Sequence, residues 1–318
     1  MPDDHPASPT RVAVVGAGNV GASFAYALLF TGLAAEIVLI DVNRARAEGE
    51  AMDLNHAVPF TYPTRVRAGD YADCAGAAVT VVTAGANQRP GESRLDLMAR
   101  NHAVFSAIIP PVARHNPSGI ILVATNPVDV LTHAAQALSG LPPERVIGSG
   151  TVLDTARFRH LISRHYGVDA RSVHAWIVGE HGDSEVPVWS LANIAGMPLP
   201  AYGAAVGVAL DEGARDSIYT QTRDAAYRII ERKGATYYAI GAGLVRIVEA
   251  ILRDQRTVLT VASRIDGYYG LSGLCFSLPT VIDRGGVEQV IRLPLSDEEQ
   301  TGLQRSAAVL QGYLGALA

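Results

Sequence analysis

The first 140 or so residues alternate short β-branched runs with stretches of helical periodicity, and this alternation constrains the fold more than any other feature of the chain. "RVAVVG" leads into a helical pattern over 19–30, "EIVLID" into 44–55, "AVTVVTAG" into 95–115 and "GIILVATNP" into 128–138. Runs that are apolar at nearly every position are covered on both faces, and helices between them supply the cover. A doubly wound parallel sheet follows. Pro110 and Pro111 fall inside the third helical pattern and are expected to kink or break it near Ile109, since each removes an amide donor.

After about residue 150 the pattern changes. A helix is expected over 151–165, then a strand running into "GEHGDSE", helical stretches over 211–253, strand-like "TVLTVASRI" and "GLCFSLPTVI" joined by Gly-rich turns, and a closing amphipathic helix over 296–317. Helices and antiparallel-looking strands in this order predict an α+β unit. With 318 residues, 48% of them hydrophobic, the chain has material for two domains. The expected division is a dinucleotide-binding domain over 1–149, of which 1–9 is a frayed tail, and an α+β catalytic domain over 150–318.

Composition removes several classes of function. The net charge of -5 arises from 26 basic and 31 acidic residues with no basic block, so no nucleic-acid footprint is expected. Lys233 is the only lysine, and "ERKGAT" around it has the wrong spacing for a phosphate-binding loop. Cys74 and Cys275 lie far apart without a CxxC pair and read as buried thiols in a reducing compartment. The polar start "MPDDHPASPT" lacks the features of a signal peptide, and no apolar run approaches the roughly 20 residues of a membrane span. A cytoplasmic protein without membrane partners is expected.

"GAGNVG" follows the first strand directly and opens a helix. Gly16 permits the tight turn, Gly18 close approach of a pyrophosphate, and Gly21 close packing of helix on strand. Asp41 ends the second strand twenty residues after Gly21, where a carboxylate accepts from an adenosine ribose and repels a 2′-phosphate. NAD rather than NADP is the expected cofactor, with Arg44 nearby as the one feature pulling the other way.

His181 in "GEHGDSE" lies between two glycines and two acids, at the end of an expected strand. Gly179 and Gly182 allow an unusual backbone there, and an acid from elsewhere would fix the ring tautomer and raise its pKa. In "DTARFR", Asp154 and Arg157 are three residues apart and share a helical face, so one can orient His181 while the other binds a carboxylate. A zinc site made of His181 with Glu180, Asp183 and Glu185 has no HExxH or second His/Cys cluster to support it. His160 and His165 flank a helix end and read as solvated or packing residues.

"GAGNVG", "AGANQRPGESRLDLMARN", "TNPVDV", "GSGTVLDTARFR", "GEHGDSE" and "KGATYYAI", in this order, closely resemble the L-lactate/malate dehydrogenase family, its bacterial lactate branch most of all. The resemblance implies hydride exchange between NADH and a 2-oxo acid. His181 is then the proton donor and acceptor, Asp154 its partner, Arg157 the clamp on the substrate carboxylate, and Arg94 the group polarising the carbonyl. Asn126 would hydrogen-bond in the same site, while Asn19, Val20, Thr83, Ala84, Gly85, Asn126 and Ile240 would line the cofactor. The segment 84–94, with Gly85, Pro90 and Gly91, reads as a loop that closes over substrate.

The same resemblance assigns specificity to Gln88. An arginine there would pair the second carboxylate of oxaloacetate, whereas a neutral amide favours pyruvate, and Thr236 leaves room for little more than a methyl group. Arg89 is expected to point elsewhere. Arg159 and His174 match positions that hold fructose 1,6-bisphosphate at a subunit interface, which implies an allosteric homotetramer. Malate dehydrogenase or another 2-hydroxy acid dehydrogenase is the alternative within the fold. A non-catalytic NAD-binding sensor is the alternative outside it, opposed by the presence of all four catalytic-set residues.

Overall fold

A computed structural model describes residues 10–86 and 94–316, except the side chains of 94 and 95. Strands β1 (Arg11–Val15), β2 (Glu36–Ile40), β3 (Arg65–Ala68), β4 (Ala77–Val82), β5 (Ile120–Val123) and β6 (Val146–Gly148) interleave with helices α1 (Asn19–Leu29), α2 (Arg44–Ala57), α3 (Arg94–His115) and α4 (Val128–Ser139). The six strands pair in parallel in the order β3-β2-β1-β4-β5-β6. The order reverses between β1 and β4, which opens a crevice at the carboxyl ends of those two strands.

The pleat explains why the strands read as continuous apolar runs. Val12 and Val14 of β1 pack with Phe24 and Leu28 of α1 on one face, while Ala13 and Val15 pack with Phe105, Ile109 and Leu131 on the other. Neither face meets water. Each such fully buried Val, Leu, Ile or Phe contributes roughly 1.5–3 kcal/mol.

The expected break near Ile109 is absent, and α3 runs through Pro110 and Pro111 without interruption. The amides they lack would have bonded the carbonyls of Ser106 and Ala107, both exposed residues whose carbonyls water can serve. On the opposite side Phe105, Ile108, Ile109 and Val112 are buried against the sheet and hold the helix in place. Tertiary packing here outweighs local propensity.

The rest of the chain comprises α5 (Val152–Tyr166), β7 (Val173–Val178), β8 (Val186–Ile194), β9 (Met197–Pro198), α6 (Leu199–Val206), α7 (Glu212–Arg223), α8 (Ala225–Lys233), α9 (Tyr238–Leu252), β10 (Thr257–Leu259), β11 (Ala262–Tyr268), β12 (Leu271–Ser277), β13 (Thr280–Asp283), β14 (Gly286–Val290) and α10 (Asp297–Gly315). Two antiparallel sheets, β7-β8-β9 and β10-β13-β14, account for most of its strands. β11 and β12 instead extend the parallel sheet: Ala262 pairs antiparallel with Gly148, and β12 pairs with β11. The crevice and part of the second half of the chain therefore share one eight-stranded sheet.

Cys74 and Cys275 are free and buried, and burial pushes both thiols up, Cys74 to about 11. Such thiols are poor nucleophiles. Among the described residues no helix is long and apolar enough to cross a membrane.

Candidate active site

The glycine motif takes its shape from close backbone contacts. Gly16 has φ of +106°, and a Cβ there would lie 2.5 Å from the Ala84 amide nitrogen. A Cβ on Gly21 would meet the Gly16 carbonyl oxygen at 2.0 Å. Gly18 differs, because a Cβ there would meet nothing within 4 Å, and α1 begins beside it with no side-chain cap. Open space in front of uncapped amides at a helix N-terminus fits a pyrophosphate. Asn19 and Val20 supply the first turn of that helix.

Asp41, at the end of β2, accepts from the Ala17 amide on Oδ2 at 2.7 Å and from the Asn43 amide on Oδ1 at 2.8 Å. It ties the glycine loop to its own strand and keeps acceptor capacity on each oxygen for ribose hydroxyls. Arg44 is exposed and engaged with Glu48 at 3.0 Å. Across the crevice the Thr83 hydroxyl donates to the Gly16 carbonyl at 2.8 Å, and the Thr125 hydroxyl donates to the Ala84 carbonyl, also at 2.8 Å. Gly85 passes so close to Thr125 that a Cβ would lie 2.3 Å from its methyl carbon.

Sequence reasoning missed Asn101 of α3. It is buried, accepts from the Ala86 amide at 2.7 Å and donates to the Asn126 carbonyl at 3.0 Å, holding together two loops that border the crevice. Asn126 itself is exposed and precedes Pro127 through a cis peptide bond. A long-range bond between an amide side chain and two loops leaves no periodic trace in the sequence.

The residues expected to be catalytic sit where α5, β7 and β12 converge. Thr151 donates to the Ile177 carbonyl at 2.6 Å, and the Ile177 amide donates to Thr155 at 3.0 Å, so the start of α5 is fastened to the end of β7. Gly179 then pairs with Ser277 of β12 through amide–carbonyl bonds of 2.9 and 3.1 Å. It has φ of +99°, and a Cβ on it would press on the Ser306 hydroxyl at 2.7 Å. Gly182 is not at positive φ; its carbonyl accepts from the Glu185 amide at 3.2 Å.

This backbone brings His181 Nδ1 to 2.5 Å from Asp154 Oδ2, while Arg157 donates to Asp154 Oδ1 at 2.8 Å. The side chains of Asp154, Arg157 and His181 are 3%, 15% and 23% exposed, so the acid is sealed and the two bases reach the cleft. Burial favours the protonated form of Asp154, but the His181 and Arg157 charges outweigh it and keep the carboxyl below its usual range. Burial works against the His181 cation, yet Asp154, Asp129 and Glu185 raise it to about 9.

Asp129 also escaped the sequence reading. It is buried in the first turn of α4 and accepts from the His181 amide at 2.7 Å, and it faces the Ser277 hydroxyl at 3.4 Å. Burial pushes its carboxyl up to about 7. An acid inside an apolar helical run was the available signal.

The other expected residues fall into three groups. Thr236, just before α9, and Ile240, in its first turn, are half-buried; a Cβ on Gly241 would lie 3.2 Å from the Phe24 amide nitrogen of α1, and one on Gly243 would lie 4.0 Å from Val152 of α5. Arg159 donates to the Ala175 carbonyl at 2.8 Å and lies over the Trp176 ring, and His174 is exposed two residues before Trp176 on β7. Gln88, Arg89 and the Arg94 side chain lie outside the described residues. Of the acids beside His181, Glu180 accepts from the Ser184 hydroxyl and Asp183 from the Tyr227 hydroxyl.

Cofactor crevice and acid-backed histidine lie at one end of a single sheet, which places the chain in the class of NAD-dependent 2-hydroxy acid dehydrogenases. It belongs to the lactate/malate dehydrogenase family: the NAD binding domain of that family matches residues 10–148, and its alpha/beta C-terminal domain matches 151–315. An L-lactate dehydrogenase of Acetivibrio thermocellus is 51% identical over 307 residues, covering 96% of this chain and 97% of the relative. One from Priestia megaterium is 52% identical over 303 residues, covering 95% and 94%. The ligand-bound crystal structure of a minor L-lactate dehydrogenase from Enterococcus mundtii superposes with a TM-score of 0.94 at 41% identity, covering 98% of this chain and 99% of that one.

Proposed function

We propose that the chain interconverts pyruvate and (S)-lactate, with His181 exchanging the proton and NAD as cofactor. The observation that carries this reading is the buried Asp154 held between His181 and Arg157. The bound cofactor supplies or removes the hydride at the substrate carbon. Gly16, Gly18, Asn19, Val20, Gly21, Asp41, Thr83, Ala84, Gly85, Asn126 and Ile240 hold it along the crevice.

In pyruvate reduction the protonated ring donates from Nε2 to the carbonyl oxygen, and Asp154 on Nδ1 fixes the tautomer and favours the cation until that moment. In the reverse direction the neutral ring accepts the hydroxyl proton. Arg157 has five donors, and its contact with Asp154 leaves others for the substrate carboxylate. Arg94 polarises the carbonyl once the 84–94 loop has closed, Asn126 donates beside it, and Thr236 borders the substrate methyl. Gln88 leaves a second substrate carboxylate unpaired and so selects pyruvate over oxaloacetate.

The same reading makes residues 1–149 the cofactor half and 150–318 the catalytic half of a cytoplasmic homotetramer. Arg159 and His174, both presented on β7 or against it, bind fructose 1,6-bisphosphate at a twofold interface. The test is NADH oxidation with pyruvate and with oxaloacetate, each with and without the bisphosphate. A kcat/KM preference for pyruvate of several decades is expected. An oxaloacetate preference makes the protein a malate dehydrogenase, and a pyruvate saturation curve unmoved by the bisphosphate removes the allosteric site.

A further inference from the structure

Glu180 and Glu185 are the buried acids of the His181 loop to which the reading above gives no task, and of the two Glu185 has an oxygen without a hydrogen-bond partner among the described residues. Its amide donates to the Gly182 carbonyl at 3.2 Å, and its carbonyl accepts from the Tyr219 hydroxyl of α7 at 2.7 Å, so the backbone is pinned on both sides of the side chain. The residue is 4% exposed, and its Oε1 has no hydrogen-bond partner among the described residues. A buried acceptor left idle costs about 1–3 kcal/mol, more if it is charged. Packing alone would be served as well by an apolar side chain of that size.

Its charged surroundings come from several elements. Asp154 and Arg157 face it from α5, His181 from its own loop, and Arg223 with Tyr219 from α7. Asp183 of its own loop, Glu212, Arg215, Asp216 and Tyr219 of α7, and Glu298, Glu299 and Arg305 of α10 are the other ionisable groups along the groove that Glu185 borders. Burial, reinforced by the Asp154 carboxylate, raises Glu185 to about 9, so it keeps its proton through the neutral range.

The charge count gives this proton a purpose. Asp154 as anion with Arg157 and protonated His181 as cations leave one net positive charge, which matches one substrate carboxylate; Asp129 when ionised and Arg223 add one charge of each sign nearby and leave that balance unchanged. Ionised Glu185 cancels that charge before the substrate arrives, in surroundings where an unbalanced charge is poorly screened. We propose that Glu185 sets the charge of the substrate site by holding a proton, so that capture of a 2-oxo acid anion requires two protons, one on His181 and one on Glu185. It acts through its field on Arg157, His181 and the substrate, as a positioning residue that does not touch the reacting atoms.

This rests on Arg157 and His181 being the partners of the substrate. The experiment compares the pH dependence of kcat/KM for pyruvate in the wild type and in Glu185→Gln at constant ionic strength. Above the titration of both groups, the wild type is expected to lose about a hundredfold per pH unit and the variant about tenfold, one decade for each proton required. Asp129 is common to both proteins and cancels. Equal limiting slopes overturn the proposal.

Two further measurements keep it decidable. The folded Glu185 holds its proton more tightly than the unfolded chain, so its contribution to stability is full below the ordinary 4.5 and falls as pH rises towards about 9. The Tm of the wild type should therefore fall relative to that of Glu185→Gln between pH 5 and 9, and parallel Tm curves overturn the proposal. If the variant does not fold, calorimetry of oxamate, the unreactive amide analogue of pyruvate, binding to the wild-type NADH complex near pH 9.5 should show uptake of more than one proton. One proton or fewer overturns the proposal. Arg157→Lys separates the two levels: unchanged pyruvate capture in that variant overturns the site assignment together with this inference, whereas equal slopes with a sensitive Arg157 variant overturn the role of Glu185 alone.

Discussion

His181 Nδ1 lies 2.5 Å from Asp154 Oδ2, and the same carboxylate takes Arg157 on its other oxygen at 2.8 Å. One buried anion thus holds both the proposed proton-transfer group and the proposed substrate clamp, so its removal should disturb both.

Asp154→Asn tests that coupling. The amide keeps the geometry but not the charge, so His181 falls back from about 9 towards the ordinary 6.5 of imidazole. Pyruvate reduction at pH 8 should then drop by about 10–100-fold, with the alkaline limb of kcat/KM displaced to lower pH. For stability, a raised histidine contributes fully below 6.5 and loses that contribution as pH rises through about 9, so the variant should have the flatter stability curve above neutrality. A limb that stays in place shows that Asp154 does not set the proton affinity of the ring.

Glu36 offers the opposite case, stability without chemistry. It starts β2, at the end of the sheet away from the crevice, and accepts from Arg11 at 2.5 Å and Arg67 at 2.8 Å. Burial opposes its ionisation, but Arg67 and Arg11 outweigh this and lower its pKa, so its contribution is present above 4.5 and lost as pH falls through the lowered value. Glu36→Gln should cost about 2–3 kcal/mol at pH 7 in urea unfolding, the arginines retaining some solvent, and leave kcat unchanged. A fall in kcat would mean that the far end of the sheet transmits to the site.

Asp129 is expected to act on geometry. Asp129→Ala leaves the His181 amide without its acceptor, a loss of about 1–3 kcal/mol, and should lower kcat together with stability. Asp129→Asn supplies an oxygen again and should restore most of both. If the alanine variant keeps full kcat, the His181 backbone is held by Gly179 and Ser277 alone.

Asp41→Ser removes a carboxylate that spans the glycine loop and the ribose position. The KM for NADH should rise by roughly tenfold, about 1.4 kcal/mol, and discrimination against NADPH should relax because the repelling charge is gone. Unchanged discrimination in steady-state kinetics would move the selectivity elsewhere.

Much of this was legible in the sequence for one reason: both cofactor loop and catalytic loop are contiguous segments placed at strand ends. "GAGNVG" and "GEHGDSE" carry their glycines beside the groups they serve. The unbroken α3 was not legible, because nothing local shows that the carbonyls freed by Pro110 and Pro111 face water. Asn101 and Asp129 were missed because their partners are distant in the chain, and Glu185 drew notice only as one acid of an unsupported zinc site because nothing local shows that it is buried with an oxygen left unpartnered. No strand was expected over β8, which carries Pro187 and Trp189, although its burial pattern alternates in part.

The seam where β11 joins β6 has an evolutionary consequence. It is a single pairing, Ala262 opposite Gly148, and a Cβ on Gly148 would stand 3.0 Å from that of Ala262 and 2.3 Å from the Thr132 hydroxyl. Gly150 is as tightly enclosed, since a Cβ on it would lie 2.4 Å from the Ala262 amide nitrogen. Exchange of halves between diverged relatives at this junction would bring together two surfaces with no slack, so recombinants should survive only when both parents carry small residues on each side of the seam. The two halves should therefore be inherited as one piece, and new substrate preferences are expected to arise in the loops, where a substitution does not have to cross the seam.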